Sequence, residues 1–73
     1  GADLRNAEKE FAAAGRKLEK LANQVTAIHT KMAEHDQSDF NGLAEMSAEL
    51  VGLHEQTAKL ETRWLELSEL LGQ

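Results

Sequence analysis

The sequence predicts an all-α fold, an antiparallel two-helix coiled-coil hairpin formed by residues 1–73 as a single domain. Two long stretches place apolar residues at alternating steps of three and four, the spacing of a helix that packs along one narrow seam. One cluster of turn-forming residues separates these stretches, and the chain contains neither Pro nor Cys. Because 73 residues cannot enclose a large core, we expect the two seams to pack against each other.

The first helix is predicted over about residues 3–35. Its seam consists of Leu4, Ala7, Phe11, Ala14, Leu18, Leu21, Val25, Ile28, Met32 and His35. Charged and amide side chains fill much of the remaining surface, as expected for a helix with a solvated outer face. Gly15 weakens this helix by about 1 kcal/mol relative to Ala.

The turn is predicted at about residues 36–42, where Asp, Ser, Asn and Gly cluster. Asp36, Ser38 or Asp39 could each accept a hydrogen bond from a free amide at the start of the second helix. The pattern does not distinguish between the three.

The second helix is predicted over about residues 40–71. Its seam consists of Leu43, Met46, Leu50, Leu53, Thr57, Leu60, Trp64, Leu67 and Leu71. A short connection makes the helices antiparallel. In the register that aligns the seams, Val25 lies beside Leu53, and the large indole of Trp64 lies opposite the small Ala14.

Charge is distributed unevenly between the halves of this chain, whose net charge is −5. The outer face of the first helix carries a basic stripe about 23 Å long. Phosphate backbones bind such a stripe, so the sequence predicts nucleic-acid contacts at Arg5, Lys9, Arg16, Lys17, Lys20 and Lys31. The alternative is that these cations only keep the helix soluble.

Catalytic motifs are absent from the sequence. There is no Gly-rich phosphate loop, no Cys, and no Ser/His/Asp arrangement, and a two-helix hairpin offers no enclosed cleft. His29, His35 and His54 lack the spacing of metal ligands, and His35 with Asp39 would supply only half of a site. We therefore expect no enzyme activity, no metal, no small-molecule substrate and no cofactor in this chain.

The second helix also carries apolar residues outside its seam. Val51 and Leu65 are the largest of these, and they predict a protein contact with another chain or a neighbouring domain. Incidental exposure of single apolar residues is the alternative.

The tail from Leu60 to Glu69 resembles the LE-x-x-W-x-E-L ending of the C-terminal coiled-coil domain of ABC-F ATPases, with Trp64 at the aromatic position. The turn from His35 to Phe40 is similar to that domain as well. The resemblance implies the C-terminal fragment of a soluble tandem ATPase without membrane-spanning parts. Proteins of that family act on the ribosome in translation, and their C-terminal hairpins are associated with nucleic-acid binding. ATP and Mg²⁺ would then bind only to cassette domains that are absent from this chain.

Three functional hypotheses follow. The first is a nucleic-acid or ribosome contact module, acting in translation or on DNA, that binds weakly because the chain is net acidic. The second is a structural coiled coil that associates with proteins or docks on its own ATPase cassettes. The third is a small secreted hairpin with a Trp-x-Gly turn, which Phe40-Asn41-Gly42 resembles only distantly. The absence of Cys fits a reducing compartment, and the expected location is the cytoplasm.

Overall fold

The computed structural model describes all 73 residues and contains two helices, α1 (Ala2–Glu34) and α2 (Phe40–Leu70), with no strand. The helices pack side by side in a hairpin that measures 57 × 16 × 15 Å. The predicted fold class, a helical hairpin, is confirmed. The long dimension follows from helix geometry, since about 33 residues at 1.5 Å each extend close to 50 Å before the turn is added.

The two predicted seams form the contact between the helices. The buried residues are spaced seven apart on α1 and fourteen apart on α2: Ala7, Ala14, Leu21, Ile28, Leu53 and Leu67. Leu21, Ile28 and Leu53 form one cluster, against which five more seam residues pack. Leu21 and Leu67 are each only 1% exposed, so two helices suffice to exclude water from the centre of the seam.

The seam is deeper on one side than on the other. Between the buried residues of α1 lie Phe11, Leu18, Val25 and Met32, which are only half-buried. In the heptad these residues occupy the a position and the buried residues the d position, which lie on opposite edges of the contact. Because a single partner helix covers α1 along one line, apolar surface remains partly open along this edge.

Trp64 forms an aromatic contact in addition to the position opposite Ala14 that the register predicts. Its indole stacks on the ring of Phe11, with ring centroids 5.2 Å apart and the planes inclined by 16°. The indole Nε1 also lies 3.7 Å from the position that a Cβ of Gly15 would occupy. The stacked aromatic faces add to the burial of the indole against α1, and a Cβ at position 15 would make an ordinary van der Waals contact with its edge.

The turn is shorter than predicted. The connection between the helices is His35 to Asp39, because Asn41 and Gly42 lie within the first turn of α2. Asp39 is the residue that caps α2, and its Oδ1 accepts a hydrogen bond of 3.1 Å from the Gly42 amide. This cap allows two residues that often form turns to begin a helix instead.

Other side chains of the turn complete its hydrogen bonds. Asp36 Oδ1 accepts from both the amide and the hydroxyl of Ser38, at 3.0 and 2.7 Å. The side-chain Nε2 of Gln37 donates to the backbone carbonyls of Met32 and His35, at 3.0 and 2.7 Å. The helix ends before His35, whose backbone is extended, and the Gln37 side chain satisfies carbonyls at this end of α1.

Candidate nucleic-acid interface

Four of the predicted basic residues share the outer face of α1. A helix advances about 100° per residue, so Arg5, Lys9, Arg16 and Lys20 lie within about 60° of one another and opposite the seam. All four are exposed. They form a straight basic surface, here called the α1 stripe, that a linear polyanion could follow.

None of the six predicted cations forms an ion pair. The ion pairs within 4.0 Å involve only His35 with Asp39, and Arg63 with Glu10 and Glu66. The cations of the α1 stripe therefore have no carboxylate in direct contact, although two acids in the chain, Glu8 and Glu19, follow Arg5 and Arg16 by three residues.

Lys17 and Lys31 lie apart from the stripe, at the edges of two shallow grooves between the helices. Lys17 lines one groove together with Lys59 and Arg63 of α2. Lys31 lines the other, together with Glu49. The structure thus divides the six predicted residues into four on the outer face and two at the groove edges. A seventh exposed cation, Lys59 of α2, lies at a groove edge with Lys17 and was not among the predicted site residues.

Arg63 connects the two helices. Its Nε and Nη2 donate to the two carboxylate oxygens of Glu10, at 2.6 and 2.8 Å, and its Nη1 donates to Glu66 at 3.2 Å. The hydrogen bond from Arg63 lowers the pKa of Glu10, and the bonds to Glu10 and Glu66 raise the pKa of Arg63. Because its donors face these carboxylates, Arg63 contributes less free positive charge than the lysines.

The outer face of α2 has the opposite charge from that of α1. Its exposed acids are Glu45, Glu55, Glu66 and Glu69. The hairpin therefore presents a side rich in cations on α1 and a side rich in carboxylates on α2.

The two predicted protein-contact residues are exposed. Val51 is 57% and Leu65 is 55% exposed, and both lie on α2 outside its seam. Phe40, at the tip of the hairpin, is 77% exposed and is the most exposed of the large apolar side chains. The only sequence feature that indicates this exposure is the position of Phe40 before Leu43, the first seam residue of α2.

His35 and Asp39 pair with each other within the turn. The His35 Nε2 lies 2.7 Å from Asp39 Oδ2, and this bond, with the Gly42 amide, lowers the pKa of Asp39. No three His, Asp or Glu side chains come together in an arrangement that could hold a metal ion. Neither helix contains a stretch long and apolar enough to cross a membrane.

A model of a known protein family matches nearly all of this hairpin. The family model described as the ABC transporter C-terminal domain matches residues 4–69, which include both helices and the turn. The chain belongs to the ABC transporter C-terminal domain family. Neither the curated proteins nor the solved structures contain a significant match.

Membership in the ABC transporter C-terminal domain family confirms the coarser part of the resemblance seen in the tail and the turn. The chain is a C-terminal module of an ABC-type protein, and Trp64 and the Asp39 cap both lie inside the matched range.

Proposed function

We propose that this hairpin is the non-catalytic nucleic-acid contact module of an ABC-F ATPase, and that it binds ribosomal RNA in the cytoplasm during translation. The observation that carries the proposal is the α1 stripe, four exposed cations on one face with no carboxylate bound to them. The Leu60–Glu69 tail, with its LE-x-x-W-x-E-L pattern, supports the ABC-F subfamily. In this proposal ATP and Mg²⁺ act only in the cassettes of the parent protein.

The binding is electrostatic and weak. Each cation that contacts a phosphate releases a counterion, and four contacts give a slope of about −3.6 in log K against log salt on a duplex. The acidic face of α2 opposes this attraction. In the parent protein, docking of the cassettes raises the effective concentration of the module and offsets its low intrinsic affinity.

The test is a titration of the chain into a short fluorescent RNA duplex, with anisotropy as the readout, between about 50 and 200 mM salt. The wild type should lose about a hundredfold in affinity over that range if four phosphate contacts form. The double variant Arg16→Gln/Lys20→Gln should bind at least about tenfold more weakly at the lower salt, with a slope reduced by about 2.

A charge-matched control separates a local contact from a general change in net charge. Ala48→Glu/Thr62→Glu alters the net charge by the same amount, but at exposed positions on the outer face of α2. This control should bind nearly as well as the wild type. Equal losses in the two variants, or no binding by the wild type, would disprove the proposal.

A second candidate function, docking on a protein, is favoured by the exposure of the apolar side chains of Val51 and Leu65 on α2. The partner in this case is a second copy or the cassettes of the parent ATPase. Sedimentation at increasing concentration tests self-association, which Val51→Ser/Leu65→Ser should abolish. A wild-type chain that stays monomeric throughout would exclude pairing between copies.

A further inference from the structure

One groove between the helices is lined by cations from both of them. Its walls are formed by Lys17, Leu21, Gln56, Lys59, Leu60 and Arg63. Half of these residues are cations, although the chain as a whole is acidic, and no carboxylate residue lines the groove. We call this surface the lysine groove.

The two lysines of this groove are free, whereas its arginine is not. Arg63 donates to Glu10 and Glu66 through three of its nitrogens. Lys17 and Lys59 have no carboxylate within 4.0 Å. Two ammonium groups that share one groove repel each other, and an anion bound between them would relieve that repulsion.

The lysine groove is continuous with the α1 stripe. Lys17 follows Arg16 in the chain and lies one turn before Lys20, so the cations of the stripe and of the groove meet at the same level of the hairpin. Lys59 is the contribution of α2 at this level. A nucleic-acid backbone that lies along the outer face of α1 can therefore extend past the edge of that helix into the groove.

We infer that the lysine groove seats phosphate groups of a double-helical RNA backbone. This inference rests on the proposed function, which supplies RNA as the partner. Lysine binds phosphate as a point charge, and Gln56 adds a neutral amide donor. The floor is formed by Leu21 and Leu60 rather than by an aromatic ring, so the groove offers no platform on which the bases of a single strand could stack.

The experiment compares two double variants on the same RNA duplex. Lys17→Gln/Lys59→Gln should weaken binding by about tenfold or more at about 50 mM salt and reduce the salt slope by about 2. Ala44→Glu/Ala48→Glu makes the same change in net charge at exposed positions of α2, about three turns or more from Lys59, so it should retain most of the affinity. Far-ultraviolet circular dichroism establishes that each variant keeps its helices.

The Glu10→Gln variant tests the groove by removing a negative charge beside it, so affinity should rise rather than fall. Removing this carboxylate releases the Nε and Nη2 of Arg63 beside the groove and leaves only its Nη1 bonded to Glu66, so binding should become tighter and the salt slope steeper by about 1. Affinity that stays the same or falls in a folded Glu10→Gln variant would contradict the inference.

The outcomes separate this inference from the proposed function. If Arg16→Gln/Lys20→Gln weakens binding and Lys17→Gln/Lys59→Gln does not, the lysine groove is excluded while the stripe remains. If the wild type binds no RNA, both proposals fail. Tighter binding to a single strand of the same length would also overturn the groove assignment.

Discussion

Gly42 shows how a single residue is constrained by the turn. A Cβ at this position would collide with the Asp39 carboxylate and would lie 2.6 Å from His35 Nε2. Both oxygens of Asp39 are already engaged, one by the Gly42 amide and the other by His35. A side chain at this position would therefore displace the Asp39 carboxylate, although the backbone is helical.

Gly52 provides the matched comparison. Nothing lies within 4 Å of the position that its Cβ would occupy. Gly52→Ala should stabilise the hairpin by about 1 kcal/mol, because Ala loses less conformational entropy in a helix. This corresponds to a rise in Tm of about 4–8 °C for a chain of this size.

Gly42→Ala should lack this gain, because displacing Asp39 from the cap and from His35 offsets the helix propensity of Ala. Thermal melts followed by circular dichroism compare the two variants with the wild type. An equal rise in Tm for both would show that the space around Gly42 is not restrictive.

At the scale of the elements, the turn determines where α1 ends and α2 begins. The carboxylates of Asp36 and Asp39 accept hydrogen bonds across this connection. These bonds lower both pKa values: the amide and hydroxyl of Ser38 act on Asp36, and chiefly His35 acts on Asp39. The charged carboxylates therefore stabilise the folded turn relative to the unfolded chain.

The sign of the pH dependence follows from these lowered pKa values. A carboxyl group with a depressed folded-state pKa adds stability that is present above its unfolded pKa and disappears as the pH falls through the folded one. The loss should therefore begin at about pH 4 and continue below it. Tm values between neutral and strongly acidic pH measure this effect.

Asp39→Asn isolates the contribution of this carboxyl group, since Asn caps a helix about as well as Asp but does not titrate. The variant should lose less stability than the wild type between neutral and acidic pH. Parallel curves for the two proteins would show that Asp39 is not responsible.

At the scale of the whole molecule, the hairpin is long and thin. Its radius of gyration is 16.5 Å, whereas a compact domain of this size would have about 11 Å. This shape places almost every residue at the surface, and the α1 stripe occupies about 23 Å of the 57 Å length of the hairpin. The elongated form therefore makes a one-sided contact with a polyanion geometrically possible.

Small-angle X-ray scattering tests this shape in solution. The expected maximum dimension is close to the 57 Å length of the hairpin. If the chain formed one uninterrupted helix, the length would instead approach about 110 Å. A value near the longer figure would overturn the hairpin, the lysine groove and the Asp39 cap together.

The sequence by itself determined the helices, their seams and their outer faces. Heptad spacing is a local property, so it assigns Leu21 and Leu67 to the inside and Arg16 and Lys20 to the outside without knowledge of the partner helix. Leu4 is the exception, since it is exposed at the open end of the hairpin.

Only the tertiary structure decided which residues meet across the two helices. The stacking of Trp64 on Phe11, the pairing of Arg63 with Glu10, and the shared groove of Lys17 and Lys59 depend on how far one helix is rotated and shifted along the other. A shift of less than one turn changes these neighbours while leaving every seam residue at the interface. The heptad pattern therefore predicts the contact between the helices, but side-chain packing selects its partners.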